Sequence, residues 1–277
     1  MSAGLLRRWL LRRFAVPREA HAATPADYGL VAIEVGLPAR DGRRLHGWFV
    51  PPAGGTPAPA VLVMHGWGAN ASLMLPLARP LHDAGHAVLL IDARGHGASE
   101  NIDFMSLPRF AEDVAAGLDW LGGRHDVDRA RLSLVGHSVG AAAVLLEASR
   151  RDHLNAVIAL SAFAHPRDMM RRHLSAMGLP WYPLGALVTA WVQRLIGARF
   201  DDIAPLTTLP RARCPVLLAH GLHDNTVPFA EAERLAASRP GTALIRVDAG
   251  HDLSEAMPQA RGAFERFLNA SASVPET

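Results

Sequence analysis

The stretch LSLVGHSVGAAAVLLEA, residues 132–148, sets Ser138 between Gly136 and Gly140, where an apolar run meets a helix-like run. A G-x-S-x-G pattern in that setting places a hydroxyl at the tip of a sharp strand-to-helix turn, where it can act as a nucleophile. Glycine on either side removes bulk that would collide where the backbone doubles back. Ala141, Ala142 and Ala143 let the helix pack close to the strand. A serine hydroxyl attacks poorly until a base takes its proton. The base in turn needs a carboxylate that orients it and stabilises its cation.

The sequence holds 14 histidines, so the base must be chosen by position. His251, in VDAGHDLSE, follows the last strand-like run and precedes the last helix-like one, at the same carboxyl edge as Ser138. His137 adjoins the serine, but its side chain should diverge from it; it is read as packing at the wall of the pocket. His65 should brace the loop that follows it. His82 and His86 are four residues apart, yet no Glu follows His82, so the H-E-x-x-H zinc pattern is absent. Asp224, in LHDNTVP after the run CPVLLAHG, is the expected carboxylate, with Asp248 as chief rival and Asp252 behind it. Asp92 is read as a turn brace beneath the site. Acyl transfer also needs donors for an oxyanion; the backbone N–H groups of Val139 and Trp67 are the candidates. The Trp67 ring would either line an acyl pocket or close the core, and both readings stand. No metal cluster and no cofactor motif is visible, and without Lys no Walker A loop can form.

These residues need a sheet to hold them at one edge. Continuous apolar runs occur at 60–66, 86–92, 131–136, 156–162 and 214–221, with a sixth at 243–247. Such runs suit strands buried on both faces. Helix-like segments fall between them at 72–84, 109–121, 139–151, 229–238 and 253–269, an alternation that predicts a mainly parallel α/β sheet. Residues 31–50 read as two strands about an Asp41–Gly42 turn, and PPAGGTPAP (51–59) as a hairpin loop. Residues 163–205 are far longer than a crossover needs and read as a helical lid over the site. Met169, Met170, Leu174, Trp181 and Leu184 would then be its apolar lining. The expected division is an N-terminal segment 1–29, a core of 30–162 and 206–277, and the insertion 163–205.

The 277 residues carry 28 basic and 26 acidic side chains, a net charge of +2, and 49% hydrophobic residues. Every basic residue is Arg. Charge is dense only near the N-terminus, which argues against nucleic acid as a partner. One cysteine, Cys214, allows no internal disulfide and is expected as a buried apolar side chain. MSAGLLRRWLLRRF sets Leu6, Trp9, Leu10 and Arg13 on one helical side and Arg8 and Arg12 on another. It is too short and too charged for a signal peptide or a membrane span. Residues 1–14 would either touch an anionic membrane surface weakly or dock on their own domain. The expected location is the cytoplasm, at the inner membrane surface if the first of these holds.

HGWG (65–68), DARGHGAS (92–99), GHSVG (136–140), HGLHDNTVP (220–228) and AGHD (249–252), in that order, resemble the α/β-hydrolase superfamily, and the resemblance spans about residues 30–270. It implies an eight-stranded sheet with helices on both faces, its second strand antiparallel, and a bacterial esterase, lysophospholipase or peptidase-like activity. Ser at the elbow, rather than Asp or Cys, argues against haloalkane dehalogenase, epoxide hydrolase and dienelactone hydrolase chemistry. The sequence-based expectation is therefore a serine esterase using Ser138, His251 and Asp224 on a small-molecule ester with an apolar acyl group. Amide or thioester cleavage would need the same trio, and a non-catalytic binding protein on the same fold is the competitor from another class.

Overall fold

The apolar runs become the strands of one eight-stranded sheet in the order β1-β2-β4-β3-β5-β6-β7-β8. The structure is a computed structural model that describes residues 17–253 and 257–271. The expected N-terminal helix, residues 1–14, lies outside the described residues. The strands are β1 (Ile33–Pro38), β2 (Arg44–Val50), β3 (Ala58–Met64), β4 (Ala87–Ile91), β5 (Val127–His137), β6 (Ala156–Leu160), β7 (Val216–Gly221) and β8 (Ala243–Val247). β2 runs antiparallel to both of its neighbours, and β3 to β8 are mutually parallel. The chain therefore has the α/β-hydrolase arrangement that the motifs imply.

The helices of the two faces are α1 (Leu75–Asp83), α2 (Leu107–Gly122), α3 (Val139–Ala148), α8 (Ala230–Ser238) and α9 (Met257–Ser271). Strand alternation divides the core between them. Leu62, Met64, Leu89, Ile91 and Leu134 pack with Phe110, Leu118, Val144 and Leu235 on one side. Val61, Val63, Val88, Leu90 and Val135 pack with Leu75, Leu81, Phe264 and Leu268 on the other. The central strands thus need apolar side chains at odd and even positions alike, which is why their runs are unbroken. Cys214 is buried among them, and burial pushes its thiol pKa up.

One local reading is corrected by the sheet order. Residues 51–57 are not a hairpin loop, because β2 pairs with β4 and not with β3. The Pro/Gly chemistry marks the turn, but the partner of β2 is fixed by a strand some forty residues further on.

Residues 163–205 hold α4 (Pro166–Ala176), a kinked turn (Trp181–Gly185), α5 (Ala186–Ile196) and the short α6 (Phe200–Ile203); α7 (Pro205–Thr208) follows. The start of this segment is fastened to α8. Arg172 and Arg234 reach Glu231 Oε1 at 2.5 and 3.2 Å, and Arg234 also meets Asp168 at 2.9 Å. Among the described residues no helix is long and apolar enough to cross a membrane.

Candidate active site

Ser138 ends β5 and begins α3 with φ 55° and ψ −116°. A non-glycine residue held there stores about 1–3 kcal/mol of strain, which surrounding structure must offset. Its N–H donates to Leu160 O at 2.8 Å, pinning the turn to β6. A Cβ on Gly136 would lie 2.4 Å from Gly140 O, and one on Gly140 would lie 2.3 Å from His65 O. No side chain fits at either position, so the two glycines are what allow the turn to be this tight.

His251 stands in the loop after β8, its Nε2 3.0 Å from Ser138 Oγ. Its Nδ1 lies 2.7 Å from Asp224 Oδ2. With the carboxylate as acceptor, Nδ1 carries the proton and Nε2 turns its lone pair to the hydroxyl. Asp224 follows β7, and its other oxygen accepts the Thr226 and Val227 N–H groups at 2.9 and 2.7 Å. That turn leaves Oδ2 free to face the imidazole. Burial works against ionisation of Asp224, but hydrogen bonds from His220, His251 and the Val227 N–H outweigh it and hold the carboxyl well below the usual range. The loops are tied to each other directly: Leu222 N–H donates to Val247 O at 2.8 Å and His223 N–H to Ala249 O at 2.9 Å.

The rival Asp248 is exposed and bonds His223 at 2.9 Å, away from His251. Asp252 lies on the wall of the cleft beside Ser138. Asp92 braces turns as expected, accepting the Ala71 N–H on Oδ1 and the Ala98 N–H on Oδ2. His65 also braces its loop: Nδ1–H donates to Gly66 O at 2.7 Å while Nε2 accepts the Ala93 N–H at 3.0 Å. Complete burial, with His96 nearby, drives its pKa down to about 3.

Val139 is the first residue of α3, so its N–H has no carbonyl a turn behind it to bond. The loop after β3 passes close by, since a Cβ on Gly66 would sit 3.2 Å from Ser138 Cβ. Trp67 is next in that loop. The serine opens into a cleft of about 230 Å³ walled by Trp67, Leu73, Met74, Pro76, Leu77, His137, Leu160 and Leu253.

A family model described as Hydrolase_4, serine aminopeptidase S33, matches residues 55–200. The chain belongs to the α/β-hydrolase superfamily. An uncharacterised protein of Mycobacterium tuberculosis, Rv2307c, is 32% identical over 86% of this chain and 80% of its own length. The α/β-hydrolase domain-containing protein WAV2 of Arabidopsis thaliana is 27% identical over 84% of this chain and 76% of its own. Among solved structures, the Pyrococcus furiosus esterase Pf2001 matches with a TM-score of 0.75 at 22% identity, over 94% of this chain and 98% of that one. Est1E of Butyrivibrio proteoclasticus, solved with ferulic acid, matches at 0.71 and 20% identity, over 87% and 100%.

In this α/β-hydrolase the cleft walls differ from the expected ones. Met169, Met170, Leu174, Trp181 and Leu184 are not among them. Leu174 is buried, and Met169 and Met170 pack against the core on the α2–α3 side. Trp181 folds onto Gly185 and Tyr182 within its own turn, and Leu184 faces solvent. Met169, Met170 and Leu174 thus serve to attach the insertion to the body. The apolar wall comes instead from the 3₁₀ turn Ala71–Met74 and from α1. The signal was Leu73, Met74 and Leu77 in NASLMLPLARPLHD, directly after the HGWG loop. Trp67 borders the cleft, is 40% exposed and stacks on Phe110 at 6.2 Å. His137 both walls the cleft and bonds the His251 backbone.

Proposed function

We propose that this α/β-hydrolase is a serine esterase that cleaves small carboxylic esters through an acyl-enzyme. The observation that carries the reading is the continuous hydrogen-bonded chain from Ser138 Oγ through His251 to Asp224, opening into an apolar cleft. Ser138 attacks the ester carbonyl while His251 Nε2 takes the hydroxyl proton. Asp224, ionised and bonded to Nδ1–H, stabilises the imidazolium. The Val139 and Trp67 N–H groups receive the carbonyl oxygen as it becomes negative. A donor of this kind is worth about 3–4 kcal/mol of barrier, and the N-terminal end of α3 adds its dipole. His251 then passes its proton to the departing alcohol. A water entering the cleft gives its proton to the same nitrogen as its oxygen attacks the acyl carbon, and His251 returns that proton to Ser138 Oγ as the Oγ–acyl bond breaks and the acid leaves.

The acyl group is read from the walls. Leu73, Met74, Leu77, Leu160 and Leu253 offer apolar contact, and a cleft of about 230 Å³ suits short to medium acyl chains. The solved esterases of similar fold support ester over amide cleavage. Amide cleavage is the second reading. It is favoured by the aminopeptidase description of the matching family and by one carboxylate, Asp252, on the cleft wall, where an ammonium group could lie.

A kinetic comparison tests both. Wild type should hydrolyse p-nitrophenyl esters of short acids far faster than the matching aminoacyl anilides. Ser138→Ala should lose that activity, and labelling by a fluorophosphonate, while keeping its circular dichroism spectrum. Near-native turnover in the folded variant would overturn the assignment.

A further inference from the structure

Three segments with no regular spacing bring two imidazoles onto one carboxylate oxygen. His21 Nε2 lies 2.8 Å from Asp92 Oδ2, and His46 Nδ1 lies 2.9 Å from the same atom. The three candidate ligand atoms all fall within 4.8 Å of one another. His21 belongs to the segment before the first strand, His46 to β2, and Asp92 to the turn after β4.

We propose that His21, His46 and Asp92 form a binding site for a divalent transition metal of the zinc class, which staples residues 17–23 to the hydrolase body. Three features argue for a cation rather than for hydrogen bonds alone. First, Asp92 Oδ2 is oversubscribed. It also accepts the Ala98 N–H at 2.9 Å, which makes three donors, whereas a carboxylate oxygen offers about two lone pairs. With a cation in place the count balances. Oδ2 gives one lone pair to the metal and one to Ala98, Oδ1 keeps the Ala71 N–H, and both imidazoles direct lone pairs at the ion.

Second, an outer carboxylate stands within reach. A ligating imidazole commonly donates its remote N–H to a carboxylate, which fixes the tautomer. His46 Nε2 lies 3.5 Å from Glu34 Oε1.

Third, the donor set and access fit. Two imidazole nitrogens and one carboxylate oxygen, with a solvent molecule as fourth ligand, make a zinc-type tetrahedron. Bonds of about 2.0–2.2 Å place neighbouring ligand atoms about 3.4 Å apart, so the two Asp92 contacts open by about half an ångström and the two imidazole nitrogens, within 4.8 Å of one another, settle to the same spacing. The Asp92 side chain is fully buried, while that of His21 is 18% exposed and supplies the open side. The Trp48 ring, 4.4 Å from the His21 ring, walls the remainder.

The consequence reaches the cleft. Asn70 Nδ2 donates to Glu19 O and Ala20 O, and the Ala22 N–H donates to Ser72 Oγ. Fixing His21 therefore fixes the turn that leads into Leu73 and Met74.

The test uses the full chain, dialysed against a chelator and titrated with Zn²⁺ by calorimetry, with Co²⁺ absorption as the spectroscopic signature. A single Zn²⁺ should bind per chain and raise Tm. Loss of an outer-sphere partner costs about 10–100-fold in affinity, so Glu34→Gln should weaken binding by about tenfold and His21→Ala by about 100-fold or more. Co²⁺ should give a four-coordinate visible band in wild type and not in His21→Ala. If His46→Ala does not fold, His21→Ala decides alone, because its side chain is partly exposed and lies outside the sheet. Absence of binding by folded wild type would overturn the proposal, as would binding unchanged in His21→Ala, which would assign the ion to another of the histidines.

Discussion

His137 Nε2–H donates to the backbone carbonyl of His251 at 2.8 Å, so the residue before the candidate nucleophile holds the main chain of the candidate base. The Ser161 hydroxyl donates to the same carbonyl at 3.1 Å. The elbow and the last loop are thus locked across the sheet, independently of the Ser138–His251 side-chain contact. Burial lowers the His137 pKa, against the pull of the His251 carbonyl, and keeps the ring neutral.

His137 is therefore expected to be a positioning residue. His137→Ala should lower kcat by about 10–100-fold through misplacement of His251, with a smaller change in KM. His137→Gln, which retains a donor, should recover part of the loss. Equal kinetics for the two variants would argue against this role.

The two carboxylates near His251 give a paired test. Asp224→Asn should reduce kcat on the order of 10⁴-fold, because the wrong tautomer of His251 is then favoured. Asp248→Asn should stay within about twofold of wild type, since exposed ion pairs contribute little. Steady-state kinetics on one chromogenic ester checks both. A larger loss in Asp248→Asn would move the carboxylate role to that residue.

The cleft wall makes its own prediction. Leu77→Ala should shift the preferred acyl chain of a p-nitrophenyl ester series toward greater length. Each added CH₂ that fills the space is worth about 0.8 kcal/mol, about fourfold in kcat/KM. Leu184→Ala, in the insertion, should leave the profile unchanged. A shift with Leu184→Ala instead would return the insertion to the substrate.

His65 ties stability to pH. The folded ring titrates at about 3, against the ordinary 6.5. Between these values the unfolded chain binds a proton that the fold excludes. The contribution is complete above about pH 6.5 and is lost as pH falls toward 3, on the order of 5 kcal/mol in full. Urea unfolding between about pH 4 and pH 7 should show a shallower decline for His65→Gln than for wild type.

Much of this architecture is legible in the residues because burial on both faces writes each central strand as an unbroken apolar run. Even β8, partly exposed at the margin, keeps enough of that pattern to be read. Ser138, His251 and Asp224 could be selected because each follows a strand at the same edge. Other relations are not local. The partner of β2 depends on β4, so a Pro/Gly turn could not reveal it. Met170 and Leu174, four residues apart, carry the spacing of an apolar face, and spacing does not say whether the face meets substrate or core. His21, His46 and Asp92 meet only after the sheet is built, so no interval between them could announce the cluster.

The terminal position of β8 also ranks how the molecule will fail under heat. His251 hangs from the margin of the sheet, whereas Ser138 sits at its centre, so the bonds from His137, Ser161 and Asp224 are the moorings that keep the candidate base in place. Local opening starts where anchoring is thinnest. A warmed sample should fall silent as a catalyst while its far-ultraviolet ellipticity is still that of the intact enzyme.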